Sequence, residues 1–181
     1  MTGDLVTWEK VKAVLNLADD QKELIEFLIS AASAQAEKIA GRFLAARDVE
    51  LKMDSTGGRE FLLPSYPVNS TEKVLIADRE TQGYKVKHES GILRITENIP
   101  TGWDVIYFKG NIGYAPVPED LQQAVIEIIS ANIRRFTTPG GTVGVKTFTA
   151  TASSGTLTTQ YELDIPISSR SVFMSYRGAR V

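Results

Sequence analysis

One long amphipathic helix constrains the fold of this chain more than any other stretch. Over residues 19–43, apolar side chains recur every three or four residues, which predicts a buried helical face about 35 Å long. Asp19 and Asp20 are predicted to cap its N-terminus and Gly41 its C-terminus. The apolar stripe comprises Ile25, Ile29, Ala32, Ala36, Ile39 and Phe43, widened by Leu24, Leu28 and Ala31, and the polar face comprises Lys22, Glu26, Ser30, Ser33 and Glu37.

Two further helices are expected to pack against the long helix. Thr7 is predicted to cap a short helix, which then forms a helical hairpin with the long one through residues 16–18. A third helix is predicted to begin near Glu119. It is predicted to stop at residues 137–141, which include a proline and two glycines. The apolar side of the first comprises Trp8, Val11 and Leu15, and that of the third comprises Leu121, Val125, Ile128, Ile129, Ile133 and Phe136.

Between the second and third helices the apolar pattern changes to a period of two, which is typical of half-buried strands. Residues 89–91 form a predicted hairpin turn. The predicted strands are residues 49–54, 60–63, 73–77, 84–88, 92–95 and 104–109. Residues 48–115 are therefore predicted to form one small antiparallel sheet, and the fold class is α+β.

The last quarter of the chain has a different composition. Residues 145–151 and 156–163 are rich in threonine and either pair as a long hairpin or remain extended. Their edges are available to another chain, although a surface hairpin without a partner explains them equally well. A C-terminal helix follows, in a segment with no acidic residue after Asp164. We therefore predict a helical core at 1–136 with a β insertion at 48–115, and an extended arm with a C-terminal docking helix at 137–181.

Composition and motifs give no indication of catalysis. His88 is the only histidine, there is no cysteine, and no metal-ligand or nucleophile–base spacing surrounds His88. The net charge of −2 provides no general attraction to nucleic acid or to anionic membranes. No apolar stretch approaches the ~20 residues that span a bilayer. We expect no enzyme, no cofactor, no metal and no membrane partner.

The order of these parts resembles the head–tail connector (adaptor or head completion) proteins of tailed bacteriophages. The resemblance begins with the stretches WEKVKAVLNL and DDQKELIEFLISAASAQAEKIAGRFL, which contain the Gly41-Arg42 pair. It continues with LPSYPV at residues 63–68, GYAPVPEDL at 113–121 and the Tyr176-Arg177 pair near the end.

The resemblance implies a non-enzymatic ring, usually dodecameric, beneath the portal in the neck of a virion, made in the host bacterial cytoplasm. Such a ring extends the channel for double-stranded DNA, which a mildly acidic protein contacts only weakly, and it provides a platform for stopper or tail proteins. The portal interface is then expected at Arg170, Val172, Phe173, Tyr176 and Arg177, with the apolar members buried in a portal groove. The interface with neighbouring subunits or the next ring is expected at Phe148, Leu157 and Tyr161.

Two other functions are consistent with the sequence. The first is a different ring protein of the tail, such as a terminator or completion protein. The second is a carbohydrate-binding β module, for which Trp103 and Tyr84 are the most obvious sugar-stacking pair. Sugar binding by the monomer would favour this module, whereas rings in micrographs would favour the adaptor.

Overall fold

The computed structural model describes residues 3–137, 147–152, 155–160 and 165–178; for residues 135–137, 147–152 and 155–160 it describes the backbone alone. The described residues form four α-helices, two antiparallel sheets between α2 and α3, and a separate two-stranded hairpin between α3 and α4. The helices are α1 (Trp8–Leu15), α2 (Lys22–Ala40), α3 (Glu119–Thr137) and α4 (Ile167–Ser175). The strands are β1 (Arg47–Ser55), β2 (Glu60–Leu62), β3 (Val68–Ile76), β4 (Arg79–Glu80), β5 (Tyr84–Lys87), β6 (Ile92–Ile95), β7 (Gly102–Ile112), β8 (Thr147–Ala152) and β9 (Gly155–Gln160).

The predicted ends of α1 and α2 are confirmed at two of three places. The Thr7 hydroxyl accepts a hydrogen bond from the Lys10 amide and caps α1. Gly41 ends α2 in the left-handed region at φ 67°, which glycine adopts without a steric cost. The capping predicted for Asp19 and Asp20 is wrong: they lie in a 3₁₀ turn that precedes α2, and the Asp19 carboxylate forms an ion pair with Lys12.

The helical core is built on one face of α2, and α3 and α4 pack against that face. Its buried members include Ile25, Ile29, Ala32, Ala36, Leu121, Val125, Ile129 and Phe173. Two residues of α2 lie on the opposite side to that predicted. Ser33 is buried because its hydroxyl accepts a hydrogen bond from the Leu5 amide at 3.0 Å, whereas Leu24 is exposed.

The β region contains two antiparallel sheets, so the prediction of one sheet is wrong. A four-stranded sheet has the order β1-β7-β3-β4, and a three-stranded sheet has the order β2-β6-β5. Central strand β7 pairs with β1 from Arg47↔Ile112 to Ser55↔Gly102. The apolar faces of the two sheets share one core, which comprises Leu63, Val68, Val74, Ile76, Leu93, Ile95, Ile106, Phe108 and Ile112. Each sheet buries only one face, so the period of two is equally consistent with one sheet or two.

The threonine-rich segment forms a hairpin. Strands β8 and β9 pair from Thr147↔Gln160 to Ala152↔Gly155. Of the two predicted conformations, a hairpin or an extended segment, the hairpin is confirmed. Phe148 and Leu157 lie on these strands, whereas Tyr161 lies outside the described residues.

The C-terminal helix α4 packs on α2 and α3. Its buried side is therefore part of the helical core. The division into a core at 1–136 and an arm with a docking helix at 137–181 stays a prediction. None of the described helices combines the length and the apolar character needed to cross a bilayer.

Candidate interaction surfaces

A buried arginine at the end of α2 joins the helices to the sheets. Arg42 is 6% exposed and makes three hydrogen bonds through its guanidinium. Its Nε donates to the Tyr176 carbonyl at 2.7 Å, Nη1 to the Tyr66 carbonyl at 2.6 Å and Nη2 to the Tyr114 hydroxyl at 3.1 Å. The guanidinium also lies 3.7 Å from the centroid of the Tyr66 ring and 5.3 Å from that of Tyr114. The charge is thus held by carbonyl dipoles, a phenol oxygen and two ring faces.

Tyr176 extends this cluster to the start of α3. Its hydroxyl donates to the Asp120 carboxylate at 2.8 Å, and its ring packs edge-on against Tyr114 with centroids 5.6 Å apart. The pKa of Tyr176 is raised to about 12, mainly because the phenol is partly buried and secondly because it donates a hydrogen bond to Asp120. The chain then returns to α2, where the Gly178 amide donates to the Ala40 carbonyl at 3.1 Å. The end of α4 is therefore attached at two places.

The Arg42 cluster brings together residues from four of the five segments on which the sequence resemblance rests. The members Arg42, Tyr66, Tyr114 with Asp120, and Tyr176 come respectively from the helix end, the LPSYPV segment, the GYAPVPEDL segment and the C-terminal Tyr-Arg pair. These segments are far apart in sequence; Arg42 and Tyr176 are separated by 134 positions. No pattern in the sequence predicts that one arginine contacts the three other segments.

The predicted portal residues do not form a free apolar cluster. Phe173 is fully buried in the chain's own helical core, and Val172 and Tyr176 pack against that core. In this conformation Phe173 is not available to a groove on another protein. Arg170 and Arg177 are exposed, so contact with a portal stays a prediction for these two residues.

The exposed side of α4 has its own spacing. Ile167, Arg170 and Met174 follow each other at intervals of three and four residues, so they share one side of α4, and Arg177 lies two residues beyond the end of the helix. We call these four residues the outward face of α4. Ile167 is 75% exposed and Met174 45% exposed. Because Ser169 and Phe173 face the core, this outward face of α4 combines two apolar and two cationic side chains.

The residues of the carbohydrate-binding alternative are not brought together by the structure. Trp103 is 87% exposed at the start of β7. Tyr84 instead packs against the core between the sheets. Among the residues whose side chains are described, the one contact between aromatic rings is that of Tyr114 with Tyr176. The rings of Trp103 and Tyr84 therefore do not contact each other.

His88 connects the two sheets. Its Nδ1 lies 2.6 Å from the Val68 carbonyl, and the Val68 amide donates to the His88 carbonyl at 2.9 Å. These bonds give the histidine a structural role where β5 ends. Within the described part of the chain, no group of three or more His, Cys, Asp or Glu residues has a geometry that would hold a metal ion.

The solvent-facing side of the four-stranded sheet carries charges of both signs. The Lys109 ammonium lies 3.0 Å from the Glu50 carboxylate and 3.8 Å from that of Glu72. The hydrogen bond with Glu50 raises the pKa of Lys109, and the same bond lowers the pKa of Glu50. Because Lys109 is paired with Glu50 and Glu72, and Lys73 with Glu80, acidic and basic groups are mixed on this face. It is therefore not a basic surface of the kind that binds phosphate groups.

Comparisons with known proteins agree with the order of these parts. The model of the head completion protein family matches residues 4–178. No curated protein sequence matches the chain.

Solved structures share the fold. A chain from the neck of a native gene transfer agent (GTA) particle, computed with C12 symmetry, aligns with a TM-score of 0.61 and 15% identity, over 100% of this chain and 97% of that one. A chain from the neck of an empty GTA particle, computed with C6 symmetry, has a TM-score of 0.60 and 16% identity over 88% and 80%. A chain from the virion of the native GTA particle has a TM-score of 0.57 and 17% identity over 91% and 81%.

Proposed function

This chain belongs to the head completion protein family, and from that premise we propose that it forms a homo-oligomeric ring between the portal and the stopper or tail proteins of a phage-like particle. Its role as a head–tail connector or completion protein is structural. We propose twelve copies in the ring, because the aligned neck of the native GTA particle was computed with C12 symmetry. The ring extends the channel for double-stranded DNA, requires no cofactor, performs no catalysis and is made in the host cytoplasm.

The Arg42 cluster is the observation that carries this proposal. It holds the end of α2, the connection before β3, the connection before α3 and the end of α4 at one point. A connector fixes the position of one neighbouring ring relative to the other. The distance and the angle between its contact surfaces must therefore stay constant. A buried guanidinium with three hydrogen bonds provides that rigidity, because each bond restricts a different segment.

The outward face of α4 is the surface that we propose for the portal. Ile167 and Met174 supply apolar contact area, and Arg170 and Arg177 supply charges that suit an acidic rim. This assignment keeps the two arginines predicted from the sequence and replaces the buried Phe173 with exposed residues of the same helix.

Removal of the protein from cells that produce the particles tests the connector role. We expect heads without attached tails, with tailed particles restored by the wild-type chain supplied in trans. Tailed particles at the normal yield in the absence of the chain would refute the proposal.

Portal binding is tested by the double substitution R170E/R177E, with K85E/K87E as a matched double charge reversal on exposed residues of strand β5. Co-purification with the particle's own portal should fall at least tenfold for the R170E/R177E variant and stay within twofold of wild type for K85E/K87E. Equal co-purification of all three proteins would show that the outward face of α4 does not contact the portal.

A further inference from the structure

We propose that neighbouring copies in the ring contact each other through two helix faces: an exposed apolar stripe of α2 on one copy enters a groove along α3 of the next. This inference rests on the proposed ring and identifies its subunit interface. The direction, shape and charge of the two faces identify a second copy of this chain as the occupant.

The first face is a second apolar stripe on α2. Leu24, Phe27, Ala31 and Ala34 follow each other at spacings of three and four residues, on the side of the helix opposite its buried face. Phe27 is 68% exposed and Leu24 40% exposed. Ala31 and Ala34 are small, so a partner helix can approach the backbone closely beside the protruding phenylalanine.

The second face is a groove of about 740 Å³ between α1, α3 and the residue that precedes α4. Its apolar lining comprises Val14, Leu15, Ile126, Ala131 and Pro166, and its polar lining comprises Lys10, Glu119, Gln123, Glu127, Ser130 and Arg134. Val14 is 59% exposed, so this lining leaves apolar surface in water in the single chain. An open apolar groove with a polar rim is the form that receives an amphipathic helix.

The two faces point in opposite directions. α2 packs on α3 through its core side, and its stripe lies on the other side. α3 contributes Leu121, Val125 and Ile129 to the same core, and its groove-lining residues lie on its far side. A closed ring of identical copies requires two such different faces on opposite sides of the subunit, because each contact is head-to-tail.

Charge selects an antiparallel arrangement of the two helices. Along the α2 stripe Glu23 precedes Lys38 by fifteen residues, and along the groove Glu119 precedes Arg134 by the same fifteen residues, roughly 22 Å in each case. Antiparallel docking places Lys38 opposite Glu119 and Glu23 opposite Arg134, with opposite signs at both ends. Parallel docking would place like charges together at both ends.

This register also predicts which residues meet in the centre. When Lys38 lies opposite Glu119, Ala34 lies opposite Gln123, and Phe27 lies opposite Ser130 beside Ala131. Both Ala34 and Gln123 are exposed in the single chain. The chain contains no cysteine, so a pair introduced there has no competing thiol within the same protein.

The variant A34C/Q123C, assembled into particles, tests the contact by oxidation. We expect a ladder of disulfide-linked multimers of this chain on a non-reducing gel, absent from the wild type and from the matched pair A34C/K87C. Monomers alone, or a mixed disulfide with another particle protein, would overturn the inference while the connector role stands, provided that the particles contain the chain. Particles that assemble with tails yet never contain even the wild-type chain would instead overturn the proposed function.

A charge exchange tests the orientation. K38E and E119K should each lower the number of copies incorporated per particle, by about threefold or more, and K38E/E119K should restore it, because the pair is then reversed but again complementary. If the decreases in copy number caused by K38E and by E119K add up in the double variant, the two residues do not face each other. The same conclusion follows if no variant lowers the copy number.

Discussion

The conservative substitution Arg42→Lys provides the sharpest test of how this fold is held together. Both side chains are cationic, but the lysine ammonium is compact and lacks the planar fork that reaches the Tyr66 carbonyl, the Tyr176 carbonyl and the Tyr114 hydroxyl together. A lysine retains at most one of these bonds. Because Arg42 is buried, the acceptors that it abandons are shielded from water.

The expected loss of stability follows from the contacts. Two lost hydrogen bonds contribute about 1 kcal/mol each. The guanidinium stacked 3.7 Å from the Tyr66 centroid contributes about a further 0.5–1 kcal/mol. The free energy of unfolding should therefore fall by about 2.5–3 kcal/mol, which corresponds to roughly 5–12 °C in Tm for a chain of this length.

Urea denaturation followed by two probes is the appropriate measurement. Fluorescence in a W103F background reports through Trp8, which is buried in the helical core, and far-ultraviolet circular dichroism reports on the helices and strands of the whole chain. Arg94 provides the control, since its pair with Glu60 is exposed and R94K should change stability by less than 0.5 kcal/mol. An R42K protein within 0.5 kcal/mol of wild type by both probes would refute the reasoning.

Three further predictions follow from the same contacts. Phe173→Ala should lower the free energy of unfolding by about 3–5 kcal/mol in a thermal or urea melt, because the ring is fully buried. A chain truncated after Ile165 should likewise be destabilised in circular dichroism, since it loses Phe173 as well as the α4 surface. Tyr176→Phe should cost about 1 kcal/mol at pH 7 through the lost bond to Asp120. In the wild type, the raised pKa of Tyr176 contributes stability that is present below pH 10 and is lost as the pH rises toward about 12. Tyr176→Phe should therefore also make the free energy of unfolding less dependent on pH in this alkaline range.

Local sequence patterns predicted the elements well because they reflect local physics. The three- and four-residue spacing predicted α1, α2 and α3, and the period of two predicted most strands to within a few residues. Strand β4 was missed because its two residues are too few to show a period. Leu24 was predicted to be buried and is exposed for a different reason. The sequence spacing of an apolar residue next to a buried stripe is the same whether its side chain faces the core or a partner.

Long-range contacts were not predictable in the same way. The apolar residues of α4 were recognised, but their spacing contains no information on whether their partner belongs to the same chain or to another. Phe173 is buried between helices that precede it by tens of residues, and Arg42 meets Tyr176 across 134 positions. A single arginine that contacts three other segments has no periodicity, so only the three-dimensional structure reveals its role.

Stiffness between the two proposed subunit faces is what a closed ring needs. Each head-to-tail contact repeats the same angle, so an angular error within one subunit accumulates around the ring and leaves it open. The α2 stripe and the α3 groove lie on helices that pack directly on each other, and the small buried residues Ala32 and Ala36 lie on the core side of α2. Close-packed interiors deform little, so the relation between the two faces is held by the core itself and not by a loop. The Arg42 cluster then adds α4 and the sheets to the same rigid unit, so a ring closed through α2 and α3 presents every copy of the outward face of α4 at the same height and orientation.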